Sequence, residues 1–324
     1  MFCLFSLGWR KVAFILGMFA FASQAAVPVI FDTDIGSDID DTWALSLILK
    51  SPELDLKLVT TATEEPVYRA KVAAKFLELA GRSDVPVGIG IASEGSAEFQ
   101  KPWVEGYQLA DYPGEIAEDG VGKLIDVVRS SAETVTIIVA GPMHNIQAAL
   151  ERAPDIAGKV KLVGMHGSID KGYDDAPSAE YNVQNNVPAF RAALQAPWQG
   201  FTITPLDTCG DIVIEGPLFA RLKASEDAQL QAIFTNFEIW ADLVTFTKVD
   251  YTDRHTSILY DSVAVYLALP EHPLLPTETM AISVDDEGFT RRDPAGSVIQ
   301  VAMQWQDKAG FYEWMTERLL SQPH

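Results

Sequence analysis

The chain has 324 residues, 48% of them hydrophobic and 10% aromatic, enough for one large α/β domain with a substantial core. Its formal net charge of -21 argues against binding to nucleic acid backbones or to anionic lipid. Two cysteines, Cys3 and Cys209, leave no cysteine zinc site, and with Cys3 in a leader no intrachain disulfide.

At the N-terminus, Arg10 and Lys11 precede the apolar stretch Val12 to Phe21 and the small residues Ala22-Ser23-Gln24-Ala25. This is the pattern of an export signal, with cleavage expected after Ala25. Residues 1–25 are then a signal peptide and 26–324 the folded domain, secreted or periplasmic and free of the membrane once cleaved. An uncleaved anchor is the alternative, although the stretch is short for a spanning helix.

Val27-Pro28-Val29-Ile30-Phe31 reads as a buried strand, and residues from Asp41 onward read as a helix. Between them, Asp32-Thr33-Asp34-Ile35-Gly36-Ser37-Asp38-Ile39-Asp40-Asp41 holds five carboxylates. So many carboxylates repel one another unless a cation is shared, and an oxygen-lined site suits Ca²⁺ or Mg²⁺.

Further strands are expected at Leu56 to Thr61, Val85 to Ile89, Val135 to Ala140, Val160 to Met165 and Phe201 to Pro205. Helices are expected at Val67 to Ala80, Gly122 to Ser130, Met143 to Arg152 and Pro188 to Leu194. The alternation predicts a single α/β domain with a mostly parallel, doubly wound sheet. Glu226 to Val249 reads as a helical excursion capping the site. Ser283 to Phe289 and Gly296 to Met303 read as late strands before a last helix, Ala309 to Leu320. Five strand ends carry polar or glycine-rich groups: the Asp cluster, Glu64-Glu65, Ala140-Gly141-Pro142, Met165-His166-Gly167 and Pro205-Leu206-Asp207. In open α/β sheets ligands bind beyond the carboxyl ends of the strands, so these ends predict one cleft.

Four segments together resemble the nucleoside hydrolases of the inosine–uridine-preferring family. They are Asp32-Thr33-Asp34 through Asp40-Asp41, Gly141-Pro142-Met143-His144-Asn145, Ala179-Glu180-Tyr181-Asn182-Val183, and Leu259-Tyr260-Asp261-Ser262-Val263-Ala264. The resemblance runs from about Val27 to about Leu320. It implies calcium-dependent hydrolysis of the N-glycosidic bond of ribonucleosides, a small-molecule substrate and no nucleic acid partner. The ion would bind two ribose hydroxyls and a water, and an Asp would take that water's proton. Residue by residue, it implies Asp34 as metal ligand and general base, with Asp41, Asp261 and the Ala140 carbonyl as further ligands. Asp40, Glu180 and Asn182 would bind sugar hydroxyls, and Met165 would pack beneath the ring. Asp32 would orient the loop. Relatives are often dimers or tetramers, which leaves a homo-oligomer open.

This chain also departs from the family's pattern. Its acidic loop is two residues longer, so Asp38 is extra and available for the contact assigned to Asp40. Glu65 stands where relatives often have Asn and is expected to keep the ribose contact, although as a carboxylate it accepts but cannot donate. Tyr260 replaces the usual His, and His144 the usual Thr. For a leaving-group acid, His166 is the first choice, with His144, Tyr251, His255 and Tyr260 as alternatives. Trp240 and Tyr251 are placed to stack on a base, although packing is the simpler role for Trp240. Glu180 and Asn182 would share a face if extended.

Three other readings stand beside this one. An exported calcium-dependent nucleoside- or sugar-binding protein would keep the site without turnover. A haloacid-dehalogenase-type phosphatase would use Asp32-Thr33-Asp34, but Gly36 is misplaced for it. An EF-hand-like loop lacks its closing Glu.

Overall fold

The computed structural model describes residues 25–322; the expected signal segment up to Gln24 lies outside the described residues. In its first half the chain runs through Val27–Thr33 (β1), Asp40–Leu49 (α1), Leu54–Thr61 (β2), Pro66–Leu79 (α2), Val87–Ile89 (β3), Ile116–Ala117 (β4), Gly120–Ser130 (α3), Val135–Val139 (β5), His144–Arg152 (α4) and Val160–Met165 (β6). It continues through Tyr181–Asn185 (α5), Val187–Gln195 (α6), Gly200–Thr204 (β7), Leu206–Cys209 (α7), Gly216–Lys223 (α8), Ala228–Leu243 (α9) and Tyr260–Leu267 (α10). Glu278–Val284 (β8), Thr290–Arg292 (β9), Ser297–Val301 (β10) and Lys308–Leu320 (α11) complete it.

One sheet contains all ten of these strands in the order β4-β3-β2-β1-β5-β6-β7-β10-β8-β9. Pairing is parallel from β4 through β10, and β8 and β9 add antiparallel at one edge. The first strand is central and buried along almost its whole length, which is why it reads as a continuous apolar run. Helices cover both faces. On one face the core joins side chains of α1, α2, α9, α10 and α11 to the sheet; on the other it joins those of α3, α4 and α6. This is the doubly wound, mostly parallel architecture the alternation predicts.

The late strands differ from expectation. Ser283 to Phe289 is not one strand: β8 ends at Val284 and a turn returns the chain into β9. The Asp285 N–H donates to the Phe289 carbonyl (3.1 Å), the Asp285 side chain accepts from the Phe289 N–H (2.9 Å), and Gly288 has φ +91°, the left-handed conformation that favours glycine. The tight turn interrupts the expected strand.

From β1 the chain moves to β2 and β3 on one side, and later to β5, β6 and β7 on the other. The strand order therefore reverses between β1 and β5. Their carboxyl ends frame a topological switch point, the usual place for a ligand in such sheets.

Candidate metal centre and active site

The turn after β1 supplies the acidic cluster, and α1 begins at Asp40 rather than Asp41, so Asp40 and Asp41 form its first turn. A helix N-terminus favours negative charge, which is one reason the pair sits there. The N-terminus of α10 converges on the same point: α1 packs against α10, and the Asp261 N–H donates to Asp40 Oδ2 at 3.2 Å. As a result Asp40, Asp41 and Asp261 each offer a carboxylate oxygen within 4.8 Å of the other two, and all three are buried. Thr33 Oγ1 also donates to Asp41 Oδ1.

This grouping differs from the expected ligand set in one respect. Asp40, expected to contact sugar, belongs to the compact trio, while Asp34 stands beside it. Asp34 is buried, accepts from Ser37 Oγ at 3.2 Å, and lies close enough to raise the pKa of Asp41, Asp40 and Asp261 by charge repulsion. Burial is the larger cause for all three, and it holds each well above the usual carboxylate range. A carboxylate trio under that strain is matched to a hard, oxygen-seeking cation. Gly141 lets the turn after β5 approach closely, since a Cβ there would stand 3.0 Å from Asp34 Cγ and Oδ1.

Asp32 ties the end of β1 to β2 and α4: its Oδ1 accepts from Thr60 Oγ1 (2.6 Å) and Asn145 Nδ2 (2.7 Å), and burial pushes its pKa up to about 6. Asp38, the extra carboxylate, is only partly buried and accepts from the Ile39 N–H at 2.6 Å. Burial raises its pKa to about 7.

Glu180 and Asn182 are brought to the cluster, but by a helix rather than a strand. Glu180 caps α5, its Oε1 accepting from Asn182 N (2.7 Å) and its Oε2 from Val183 N (3.1 Å) and Gly167 N (3.0 Å). Burial nonetheless raises its pKa to about 7, outweighing those bonds. Asn182 Nδ2 donates to the carbonyls of Ala140 and Met165, both at 3.1 Å, and lies 3.5 Å from Met165 Sδ. Ala140, Met165 and Asn182 thus meet at one place.

Three expectations fail. Glu65 is exposed at the start of α2, on a surface groove with Val67, Lys71 and Leu243. Glu64 turns inward instead, because Thr63 and Glu64 both adopt positive φ (67° and 42°) and rotate the turn by one side chain. His166 does not reach the cluster. It lies on the opposite face of the sheet from Met165, stacked on Phe190 of α6 at 5.5 Å and 6°. Burial depresses its pKa to about 3, so it is neutral and unsuited to donate a proton. Asp207 accepts from the N–H groups of Ile169, Asp170 and Lys171, holding a loop instead of facing the cleft.

The remaining candidates form the surroundings. Tyr260, at the first turn of α10, is half-buried, and burial together with Asp38 and Asp40 lifts its pKa above the usual phenol range. Tyr173 and Tyr181 are exposed residues whose hydroxyls are nonetheless desolvated enough to lift their pKa values; the charge of Glu180 acts on both, that of Asp38 on Tyr173 and that of Asp34 on Tyr181. Trp240 is a buried packing residue whose Nε1 donates to the Ser37 carbonyl at 3.2 Å, bracing the acidic loop. His255 stacks on Tyr251 at 4.2 Å, its Nδ1 2.8 Å from the Thr256 carbonyl. His144 opens α4, half-buried, its pKa lowered by burial. Cys209 is buried and packed.

An acidic trio at the switch point of a doubly wound sheet, with Glu and Asn delivered from a capped helix, makes a buried, oxygen-rich site that could hold a hard cation. Sequence comparison makes this specific. The family model for inosine-uridine preferring nucleoside hydrolase matches residues 29–313, and the chain belongs to that family. It is 31% identical over 190 residues to the pyrimidine-specific ribonucleoside hydrolase RihA of Citrobacter koseri, covering 53% of this chain and 57% of that protein. It is 30% identical over 195 residues to the non-specific ribonucleoside hydrolase RihC of Salmonella typhimurium, covering 56% and 62%. The chain therefore spans less than two thirds of these relatives' length in the matched regions. The plant nucleoside hydrolase PpNRh1 has the same fold, with a TM-score of 0.75 at 23% identity over 91% of this chain and 99% of that one. So does the purine-preferring ribonucleoside hydrolase from Gardnerella vaginalis, with a TM-score of 0.69 at 22% identity, covering 90% and 98%.

Proposed function

We propose that this protein hydrolyses the N-glycosidic bond of ribonucleosides, releasing free base and ribose, with calcium as its resident ion. The observation that carries the reading is the convergence of α1 and α10, which brings Asp40, Asp41 and Asp261 within 4.8 Å beneath the strand ends. The donor set is all oxygen, which fits calcium better than a softer metal. Asp41, Asp261, Asp34 and the Ala140 carbonyl would hold the ion, with Asp40 close enough to join them. When bound, the ion supplies Lewis acidity and fixes the sugar diol against the carboxylates.

Asp34 takes the proton of the attacking water. Its carboxylate is buried and steadied by Ser37. Asn182 spends its amide hydrogens on Ala140 and Met165, which leaves Oδ1 to accept from a sugar hydroxyl. Met165 packs beneath the ring. As the glycosidic bond breaks, positive charge grows on the sugar, and the surrounding carboxylates stabilise it in the manner of glycosidases. Leaving-group assistance falls to Tyr260, which stays protonated and donates a hydrogen bond to the departing base; the base takes its proton from solvent water, and Asp34 returns the water's proton to solvent. The relatives' names divide between pyrimidine, purine and non-specific preference, so the base is set by experiment.

We also propose export, with cleavage after Ala25; N-terminal sequencing of protein recovered outside the cytoplasm tests it, and an intact N-terminus on cytoplasmic protein overturns it.

The decisive assay is release of base and reducing sugar from inosine, adenosine, guanosine, uridine and cytidine, with calcium and with chelator. Turnover abolished by chelator and restored by calcium is expected. Asp34→Asn should lower kcat by about 10³-fold or more while the circular dichroism spectrum is unchanged. Nucleoside binding without turnover in the parent would make the chain a binding protein instead.

A further inference from the structure

We infer that Arg69, through its pairing with Glu64, is the positioning residue that sets the loop carrying Asp34; the catalytic part of this rests on the role proposed for Asp34. Arg69 is fully buried in the first turns of α2. Its guanidinium holds two loops at once. Nη1 donates to the carbonyls of Asp34 and Ile35, the latter at 3.3 Å, and Nε to that of Thr63 at 3.3 Å. Nη2 pairs with Glu64 Oε2 at 2.6 Å. The neighbouring residue grips the same loop from the side, Tyr68 donating to the Gly36 carbonyl at 3.1 Å.

Two features separate this from an ordinary structural ion pair. The first is strain: Thr63 and Glu64 are consecutive non-glycine residues at positive φ, and a β-branched residue rarely adopts that conformation. That turn is what aims Glu64 inward at Arg69 instead of outward beside Glu65. The second is that the pair is satisfied entirely by the site's own framework. Glu64 Oε2 accepts from Ala97 N at 2.9 Å as well, tying in the loop before Gln100. A planar five-donor fork can serve three carbonyls and a carboxylate together, whereas a lysine ammonium cannot. The bonds reach the Asp34 main chain and leave its carboxylate free for the reaction.

The test is a set of variants, Arg69→Met, Glu64→Gln, Asp34→Asn and the pairwise combinations with Asp34→Asn, read by kcat, KM and site-resolved hydrogen exchange. Arg69→Met should raise exchange in residues 34–39 at least tenfold with the core strands unchanged. It should lower kcat about 100-fold with KM within threefold, as a displaced base does, and add no further loss to Asp34→Asn. Glu64→Gln, which keeps the side chain's volume, should show the same pattern at about tenfold and covers the case that Arg69→Met does not fold. Losses that multiply with Asp34→Asn, or unchanged exchange in residues 34–39, overturn the inference. A parent protein with no turnover overturns the proposed function alone, and the exchange data then decide whether Arg69 sets the loop.

Discussion

Glu180 shows how one side chain serves both local structure and the site. It occupies a helix cap, a place usually taken by shorter side chains, and accepts three backbone N–H groups with two oxygens. Glu180→Gln exchanges one acceptor for an NH₂ that faces N–H donors. We expect a loss of about 1–3 kcal/mol in urea unfolding, with α5 the first region to exchange; an unchanged midpoint would disprove the capping role. The motif around Glu180 was legible in the sequence, but its conformation was not. Two polar residues spaced by two fit a strand face, and only the cap bonds, made with the backbone, decide for a helix. Glu64 and Glu65 show the same limit. They are chemically identical neighbours, and which one turns inward depends on two positive φ angles that side-chain chemistry does not announce.

At the scale of elements, the strands were readable because central parallel strands are continuous apolar runs, and the start of α1 because paired carboxylates suit a helix N-terminus. At the end of β6, Met165 is followed directly by His166. Side chains alternate along a strand, so neighbours face opposite sides; with Met165 toward the site, His166 points away. It packs on Phe190, and burial holds its pKa near 3 against 6.5 for a free imidazole. Between those values the unfolded chain binds a proton that the folded chain does not, so stability from this group is full above about pH 6.5 and falls as pH drops toward 3. His166→Phe removes that slope. Relative to the parent, the variant should gain stability progressively below pH 6.5, by a few kcal/mol at pH 4, while turnover at pH 7 changes little. A parallel pair of stability–pH curves would refute the assignment.

For the molecule as a whole, the sheet order places the ligand cluster where β1 and β5 part, and the sign of its electrostatics sets a further expectation. The clustered carboxylates have raised pKa values when no cation is present, Asp32 to about 6 and Asp38 to about 7, and the trio further. A folded state that keeps protons the unfolded state has lost becomes less stable as pH rises through those values. Calcium bound at the trio would reverse this, because its ligands must be ionised. At a calcium concentration of about 1,000 times Kd the gain is about 4 kcal/mol, on the order of 10 °C in Tm for a chain of this size. The calcium-induced rise in Tm should widen from pH 5 to pH 8 and shrink sharply in Asp261→Asn. A rise independent of pH would mean that the ion binds elsewhere.

The trio's members are far apart in the chain: two come from the first helix after the first strand, and Asp261 lies 221 positions after Asp40. An ion bound there would rivet α1 to α10. Contacts of such long sequence separation form late, after most of the chain has collapsed. A rivet set late does little to hasten folding; it would act on the reverse path, where α1 and α10 must part. With an ion bound, the same three carboxylates that are costly to bury would also govern how long the folded molecule lasts.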